Sequence, residues 1–591
     1  MTPVSVTAAE FAAGDFDYLI VGGGTAGLVV AARLSEDVNL RIGVLEAGPT
    51  ALDEDAINDP GRFLQTLGTN YDWQFETVSQ PGLGGRKVAW PRGKVLGGSS
   101  ALNLMTWSRG CKEDYDAWEK LGNRGWGWDD LLPFFKKCET FHLPNEHTQM
   151  ANREHYDHRA IGTDGPISVS YSKQYSASHQ LCYDSLLSMG IHENIAHHSG
   201  SNVGVWTNPV TVEPKNGRRS YAAPAYYVPC AARPNLVVLT EAFVKEVLSS
   251  KSNDRWTATG VRFIHADQEF VVSASREVIL SAGSVQSPQL LELSGVGNPT
   301  ILANAGVEVK VPNTNVGENL QDHLMTISVF EVDPSLTAAN KSAPAGSICY
   351  LPVSDAAAQD GFDQIVNHVR SLGTLPPKKG IILKSRFDQD ARLGQFEYIF
   401  DMGNWNVQFQ PDPSEGKTYA SMLQILQYPF SVGSLHIPPS SNTSARSFIS
   451  DKPVINPGYY SGPHGKVDLE IMTQCIRFTD RLCRFKPLAD VVRGRVYPPT
   501  SIETDEQLRR WVVDNTTTDW HPIGTCAMGG IDGIEAGVVD DRLRVYGIER
   551  LRVIDASVMP LQISAHLQAT VYAIAEKGAH MIREDMVERR H

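Results

Sequence analysis

The stretch FDYLIVGGGTAGLVVAARLSEDVNLRIGVLEAGP, Phe16 to Pro49, decides the fold. Asp17 to Val21 is a short apolar run of β-formers that stops at three glycines, Ala26 to Leu34 has a helical composition, and Arg41 to Glu46 is a second apolar run. The order predicts strand, tight turn, helix and strand, one βαβ unit. Within it Gly22-x-Gly24-x-x-Gly27 sits between strand and helix, and Glu46 closes the next strand 19 residues after Gly27. Glycines at these positions permit the turn and let backbone N–H groups approach a pyrophosphate at the helix N-terminus, while a carboxylate in the place of Glu46 accepts from a ribose diol. The stretch therefore predicts a dinucleotide site built on Gly22, Gly24, Thr25, Ala26, Gly27 and Glu46. The acid argues against a 2′-phosphate and hence against NADP, and FAD and NAD both use this fingerprint.

Around this unit lie 591 residues, with 53 basic and 67 acidic side chains and a formal net charge of −14. At roughly 150 residues per domain, one core is too few. The acidic balance repels phosphate backbones and no Lys/Arg block overrides it, which argues against nucleic-acid binding and for a small-molecule partner. No run approaches the roughly 18 to 20 apolar residues of a membrane span, so no membrane association is expected. The start MTPVSVTAAEFAAG lacks a basic, then apolar, leader. As it stands the chain reads as cytoplasmic, or as secreted if a leader was removed, and localisation stays open. Eight scattered cysteines without a CxxC predict buried thiols, and no metal site is read. Sequons at Asn340, Asn442 and Asn515 leave the compartment undecided.

Farther along, the Gly-, Pro- and Trp-rich segment from 50 to 135 predicts ordered loops, and Asn235 to Ile264 and Glu269 to Ala282 read as β-rich. From 335 to 510 the texture changes to Pro, Ser and Asp with scattered aromatics, a candidate second domain. The strand-like LRVIDASVMP is followed by SAHLQATVYAIAEKGAHMIRED, an expected amphipathic helix with Ser564 as N-cap.

Three further blocks carry a family resemblance. Gly93-Lys94-Val95-Leu96-Gly97-Gly98-Ser99-Ser100-Ala101-Leu102-Asn103, with Gly110 and Asp116 beyond it, resembles the first signature of the glucose-methanol-choline family of flavin oxidoreductases. Gly283-Ser284-Val285-Gln286-Ser287-Pro288 through Gly297 resembles the second, and His521-Pro522-Ile523-Gly524-Thr525 followed by His566 resembles the C-terminal active-site region. The resemblance spans residues 16 to 585 and implies FAD. It implies an α/β fold with a discontinuous Rossmann-like FAD-binding domain (15–165, 230–330 and 515–591). The remainder (166–229 and 331–514) is then an α+β substrate-binding domain on an antiparallel sheet. By the same resemblance Asn103, Leu104, Met105, Thr106 and Leu96 lie near the flavin ring, and Trp73 and Val244 contact the cofactor, although core packing is an equal reading for both. Asp555 and Ala556 lie near the ribityl and pyrophosphate part, where an Asp would accept from a hydroxyl or backbone N–H. Arg92 and Lys94 read as surface charges.

The resemblance makes His521 the general base, taking the hydroxyl proton of an alcohol while the carbon-bound hydrogen leaves as hydride to flavin N5. His566 is the second member, binding the same oxygen, with the N–H groups of Leu567 and Gln568 facing the flavin edge that gains charge on reduction. Trp520 is expected at the substrate entrance, as an aromatic stands before the base in similar aryl-alcohol oxidases. Trp405, Phe409, Tyr428 and Phe430 are middle-domain aromatics whose simpler reading is core. Glucose-oxidising members carry Arg and Asn where this chain has Thr517 and Asp519, which weakens a sugar assignment. The leading expectation is oxidation of a primary aryl or allylic alcohol to the aldehyde by a monomer or homodimer, with O2 or a quinone as acceptor. Alternatives are a lyase using FAD structurally, for which the resemblance implies a cysteine near the flavin, Cys111 or Cys526, a cyclase of secondary metabolism, a sugar dehydrogenase, and a non-enzymatic dinucleotide-binding module.

Overall fold

The computed structural model describes residues 6–336, 346–373, 377–388, 391–440 and 451–588. Five strands run parallel in the order Leu551–Val553, Gln268–Leu280, Phe16–Val21, Ile42–Leu45, Leu236–Leu239. Every residue of Ile42–Leu45 and of Leu551–Val553 is buried, as in a parallel sheet covered on both faces, with Arg552 of the latter paired to Glu277 and Asp585. The register brings their C-terminal ends level: Val21 pairs with Leu45 and Leu280, Leu45 with Leu239, and Leu280 with Val553. Gly22, Glu46, Ser281 and Asp555, just beyond those ends, border one cleft, the place where open α/β sheets bind ligands. The predicted βαβ unit is present, its helix running Thr25–Leu34, and the two β-rich segments form Leu236–Leu239, Phe243–Ser252, Arg255–His265 and Gln268–Leu280.

A second, antiparallel sheet follows the order Val492–Tyr497, Leu324–Val332, Thr418–Leu426, Phe396–Met402, Ser347–Leu351, Gly204–Thr207. The boundary expected at 330 falls inside the strand Leu324–Val332, whose pairing with Thr418–Leu426 continues unbroken across it. Thr517 and Thr518, expected with the FAD-binding parts, pair with Met325 and Leu324 in this sheet. The two parts are thus stitched together at 322–325 and 517–521. Cross-strand partners put Trp206, Ile348, Ile399, Leu423 and Ile327 in one row of one face, and Tyr350, Glu397, Ile425 and Met325 in the next. Glu397 is the only charge in these two rows.

The C-terminal helix spans Gln568–Glu588, later than expected, and Ser564 does not cap it. The Ser564 hydroxyl donates to the Gly394 carbonyl, and its amide donates to Asp114 Oδ2 at 2.9 Å. Nor is the helix amphipathic: from Ala569 to Ala579 every residue is buried, because it packs between the helices Thr25–Leu34 and Trp128–Cys138. Those at Lys112–Lys120 and Trp128–Cys138 lie in the segment expected to be loops. Asn515 is buried and donates to the Trp511 carbonyl at 2.8 Å, which removes it as a glycan acceptor, while Asn340 and Asn442 lie outside the described residues.

A tie between the two parts is titratable. His436, at the end of the short strand Ser434–His436, bonds Glu292 Oε1 (2.7 Å) on the second-signature helix and Glu318 Oε1 (3.1 Å). Burial alone would lower its pKa, but the two carboxylates hold it up at about 9. A folded value above the unfolded one of about 6.5 means that this tie stabilises fully below that pH and fades as pH rises through about 9. His436→Gln is expected to lower the melting temperature at pH 6, and thermal melts across pH should show the deficit shrinking towards zero above about pH 9.

Candidate active site

The cleft at the sheet's C-terminal edge encloses about 1730 Å³ of space free of protein atoms, part of it open to solvent. Its walls fit a dinucleotide. A Cβ on Gly27 would stand 1.9 Å from the Gly22 carbonyl oxygen, so only glycine lets helix and strand close around the turn. Gly98, at φ +54°, passes so close to the fingerprint that a Cβ would lie 2.7 Å from the Gly24 Cα. Gly22, Gly24, Thr25, Ala26, Glu46, Trp73 and Val244 border the cleft. So do Asn103, Leu104, Met105, Thr106, Asp555, Ala556, Leu567 and Gln568. Gly27 and Leu96 do not: Gly27 sits in the helix–strand contact, and Leu96 is fully buried behind Gly23.

Electrostatics in the cleft follow from backbone donors. Glu46 accepts from the amides of Gly23 and Gly48, each at 2.8 Å, and burial pushes its pKa up to about 7 against those bonds. Asp555 accepts from backbone and hydroxyl donors as expected, from the Gly283 amide (2.9 Å) and Ser287 Oγ (2.6 Å) on one oxygen and the Ser557 amide (2.8 Å) on the other. Asn103 Nδ2 donates to Gln568 Oε1 at 2.9 Å, tying the 103–106 turn to the first turn of the C-terminal helix, whose leading amides have no carbonyl of their own. Arg92 is no surface charge: its guanidinium donates to the Trp520 carbonyl at 2.5 Å. Lys94 lies 4.9 Å above the Trp73 ring.

The histidines meet at the same cleft. His521 and His566 stand with ring centroids 4.9 Å apart and planes at 88°, each side chain 14% exposed. The backbone of His521 is pinned: its amide donates to Asp322 Oδ1 at 2.8 Å and its carbonyl accepts from Gln562 Nε2 at 3.0 Å. Trp520 borders the cleft with φ +59°, a left-handed conformation costing a bulky residue about 1–3 kcal/mol, and the surrounding bonds hold it there.

Two partners escaped the sequence reading. His323 Nδ1 lies 3.0 Å from His521 Nδ1, and His323 Nε2 lies 2.9 Å from the Ile563 carbonyl oxygen. A carbonyl can only accept, so His323 carries its proton on Nε2, and burial, with a smaller effect from His566, drops its pKa to about 3 and keeps it neutral. Its Nδ1 is then an acceptor, His521 carries its own proton on Nδ1, and His521 Nε2 is left with a free lone pair. Burial, then His566, His323 and Arg92, hold His521 well below the usual histidine range. Glu397 Oε1 lies 2.8 Å from His566 Nε2, and against the burial that would lower it this buried carboxylate holds the His566 pKa up at about 9. At neutral pH one imidazole is a neutral base and its neighbour a cation, the divergence that assigns base and donor roles. A lone Glu within the apolar strand FEYIF and a His beside Asp in NLQDHLM were the only signals in the sequence.

The remaining candidates separate cleanly. Tyr428 and Phe430 are core, with Arg386 4.1 Å over the Tyr428 ring and Phe387 against Phe430. Phe409 packs on Tyr419 and Tyr497. Trp405 covers the apolar sheet face and stacks on Phe63 at 5.8 Å. Cys111 and Cys526 are buried outside the cleft wall, Cys111 beside the Tyr428 hydroxyl at 3.4 Å, and burial pushes both thiols well up.

Two family profiles described as GMC oxidoreductase match residues 16–325 and 429–575. Among curated proteins, the dehydrogenase mpl7 of Monascus purpureus is 36% identical over 98% of each chain. Among solved structures, an FAD-dependent oxidoreductase from Chaetomium thermophilum superposes with a TM-score of 0.85 at 27% identity, covering 97% of this chain and 100% of that one. A fungal aryl-alcohol oxidase superposes with a TM-score of 0.81 at 26% identity, covering 97% and 99%.

Gly98→Ala places a methyl against Gly24 in a strained conformation. It is expected to cost about 1–3 kcal/mol and to yield protein with a reduced ratio of flavin to protein absorbance after purification.

Proposed function

Because the chain belongs to the GMC oxidoreductase family of FAD-dependent enzymes acting on CH–OH groups, we propose that it oxidises a primary aryl or allylic alcohol to the aldehyde. FAD, when bound, supplies the hydride acceptor, and O2 or a quinone takes the electrons onward. His521 receives the hydroxyl proton on the lone pair of Nε2 that its bond to His323 leaves free. His566, a cation through Glu397, donates from Nδ1 to the same oxygen and stabilises the charge that grows on it. The observation that carries this reading is the pair of facing imidazoles, one bonded to His323 and the other to the Glu397 carboxylate.

The substrate class rests on Trp520 and on the apolar surroundings of Glu397, the partner of His566. The two sheet rows around it are otherwise Trp, Tyr, Ile, Leu and Met, and Trp520 borders the cleft beside the base. A flat, apolar alcohol suits Trp520 at the cleft wall, and Thr517 and Asp519 supply no bidentate cation for sugar hydroxyls. The lyase reading lacks a comparable support, since neither Cys111 nor Cys526 borders the cleft.

Anaerobic addition of benzylic or allylic alcohols is expected to bleach the flavin spectrum of the wild type, with His521→Ala slower by about 10²–10⁴-fold. A wild type that no alcohol bleaches would contradict the assignment. Activity should fall with rising pH as His566 deprotonates near 9. Glu397→Gln removes the charge that raises that value, so the alkaline limb of its pH–rate profile should move to lower pH.

A further inference from the structure

Asp519, one residue before the aromatic that precedes the base, has no role in the reaction as described so far. Its Oδ2 lies 3.2 Å from His521 Nδ1. The same oxygen is buried and has no hydrogen-bond partner of good geometry, although the side chain borders the cleft and is 11% exposed. The backbone does not leave its position to chance, since the Asp519 amide donates to the His323 carbonyl at 3.0 Å and Thr518 beside it pairs with Leu324. Both nitrogen-side neighbours of His521 Nδ1, the His323 imidazole and the Asp519 carboxyl, are thereby fixed by one strand pairing.

We infer that Asp519 is a positioning residue for the base: its carboxylate lies against His521 Nδ1, beside the bond to His323, and is the counter-charge of the imidazolium that forms when His521 takes the substrate proton. His323 and Asp519 divide the work. The neutral His323 can only fix the tautomer, whereas a carboxylate also stabilises positive charge on the ring. That charge is otherwise opposed on every side, by the His566 cation and by Arg92. The proton balance is simple: the substrate hydroxyl loses its proton to His521 Nε2, Nδ1 keeps its own, and the positive charge rests between Asp519 and the ring until the proton is released.

Asp519 faces His521, His566, Glu397, Asp322 and Tyr350, and their sum decides when it is ionised. Burial raises its pKa first, His566 lowers it, and Glu397 and Asp322 raise it again, leaving it at about 8. The carboxylate form therefore grows as pH rises through about 8, and with it the basicity of His521.

This inference rests on His521 being the base, and the test separates the two. Asp519→Asn keeps the shape and the His323 tautomer lock but removes the charge. Its kcat/KM for a benzylic alcohol should fall by about 10- to 1000-fold, the effect of an opposite charge within 4–6 Å. The fall should come through kcat more than KM, and the acid limb of the pH profile should disappear. Asp519→Glu should restore part of the rate together with the limb. Titration of ¹⁵N-histidine-labelled protein followed by NMR should show His521 protonating at lower pH in Asp519→Asn with its tautomer unchanged, a readout that needs no turnover. Wild-type kcat/KM and pH profile in Asp519→Asn, or an unmoved His521 titration, would overturn the role of Asp519. Activity surviving in His521→Ala would instead overturn the base.

Discussion

The site depends on one buried carboxylate. Asp322 accepts from the His521 amide at 2.8 Å, from the Thr518 hydroxyl at 2.5 Å and from the Tyr459 hydroxyl at 2.5 Å. Three donors from two distant segments converge on it, so the 517–521 segment has no freedom to slide against the strand that starts at Leu324. The same pairing carries His323 to His521 Nδ1 and holds Trp520 in its left-handed turn. Losing the carboxylate would leave buried donors unsatisfied at about 1–3 kcal/mol each, and would release the base from the direction in which its lone pair points.

Electrostatics then do what geometry alone cannot. Two imidazoles 4.9 Å apart would ordinarily share a similar pKa, yet burial, the neighbouring histidines and an arginine hold one down and the other is clamped on a glutamate. Each makes the other's state more pronounced, because a cationic His566 disfavours protonation of His521. Glu397 comes from the middle of the antiparallel sheet and His566 from the segment before the C-terminal helix. The catalytic charge pattern therefore exists only when both parts of the fold are assembled.

How much of this was legible in the sequence follows from the range of each interaction. The Gly22–Gly27 turn is local, and its reading survives down to the 1.9 Å approach that forbids a Cβ on Gly27. His521 and His566 were found through resemblance to a family, since neither position is unusual by composition. His323 and Glu397 were missed because their functions arise from partners 198 and 169 residues away, set by sheet register that one sequence does not display. Asp519 was noticed only as a departure from a sugar site. Ser564 looked like a cap and Arg92 like a surface charge, because burial by distant segments cannot be read from neighbours in the chain. Leu96 shares its signature with residues of the cleft wall, yet packs behind them.

The most direct test of the opposed imidazoles is neutron diffraction from deuterium-exchanged crystals at neutral pH. The expected map has a deuteron on Nδ1 and none on Nε2 of His521, and deuterons on both nitrogens of His566. A deuteron on His521 Nε2, or a singly protonated His566, would contradict it.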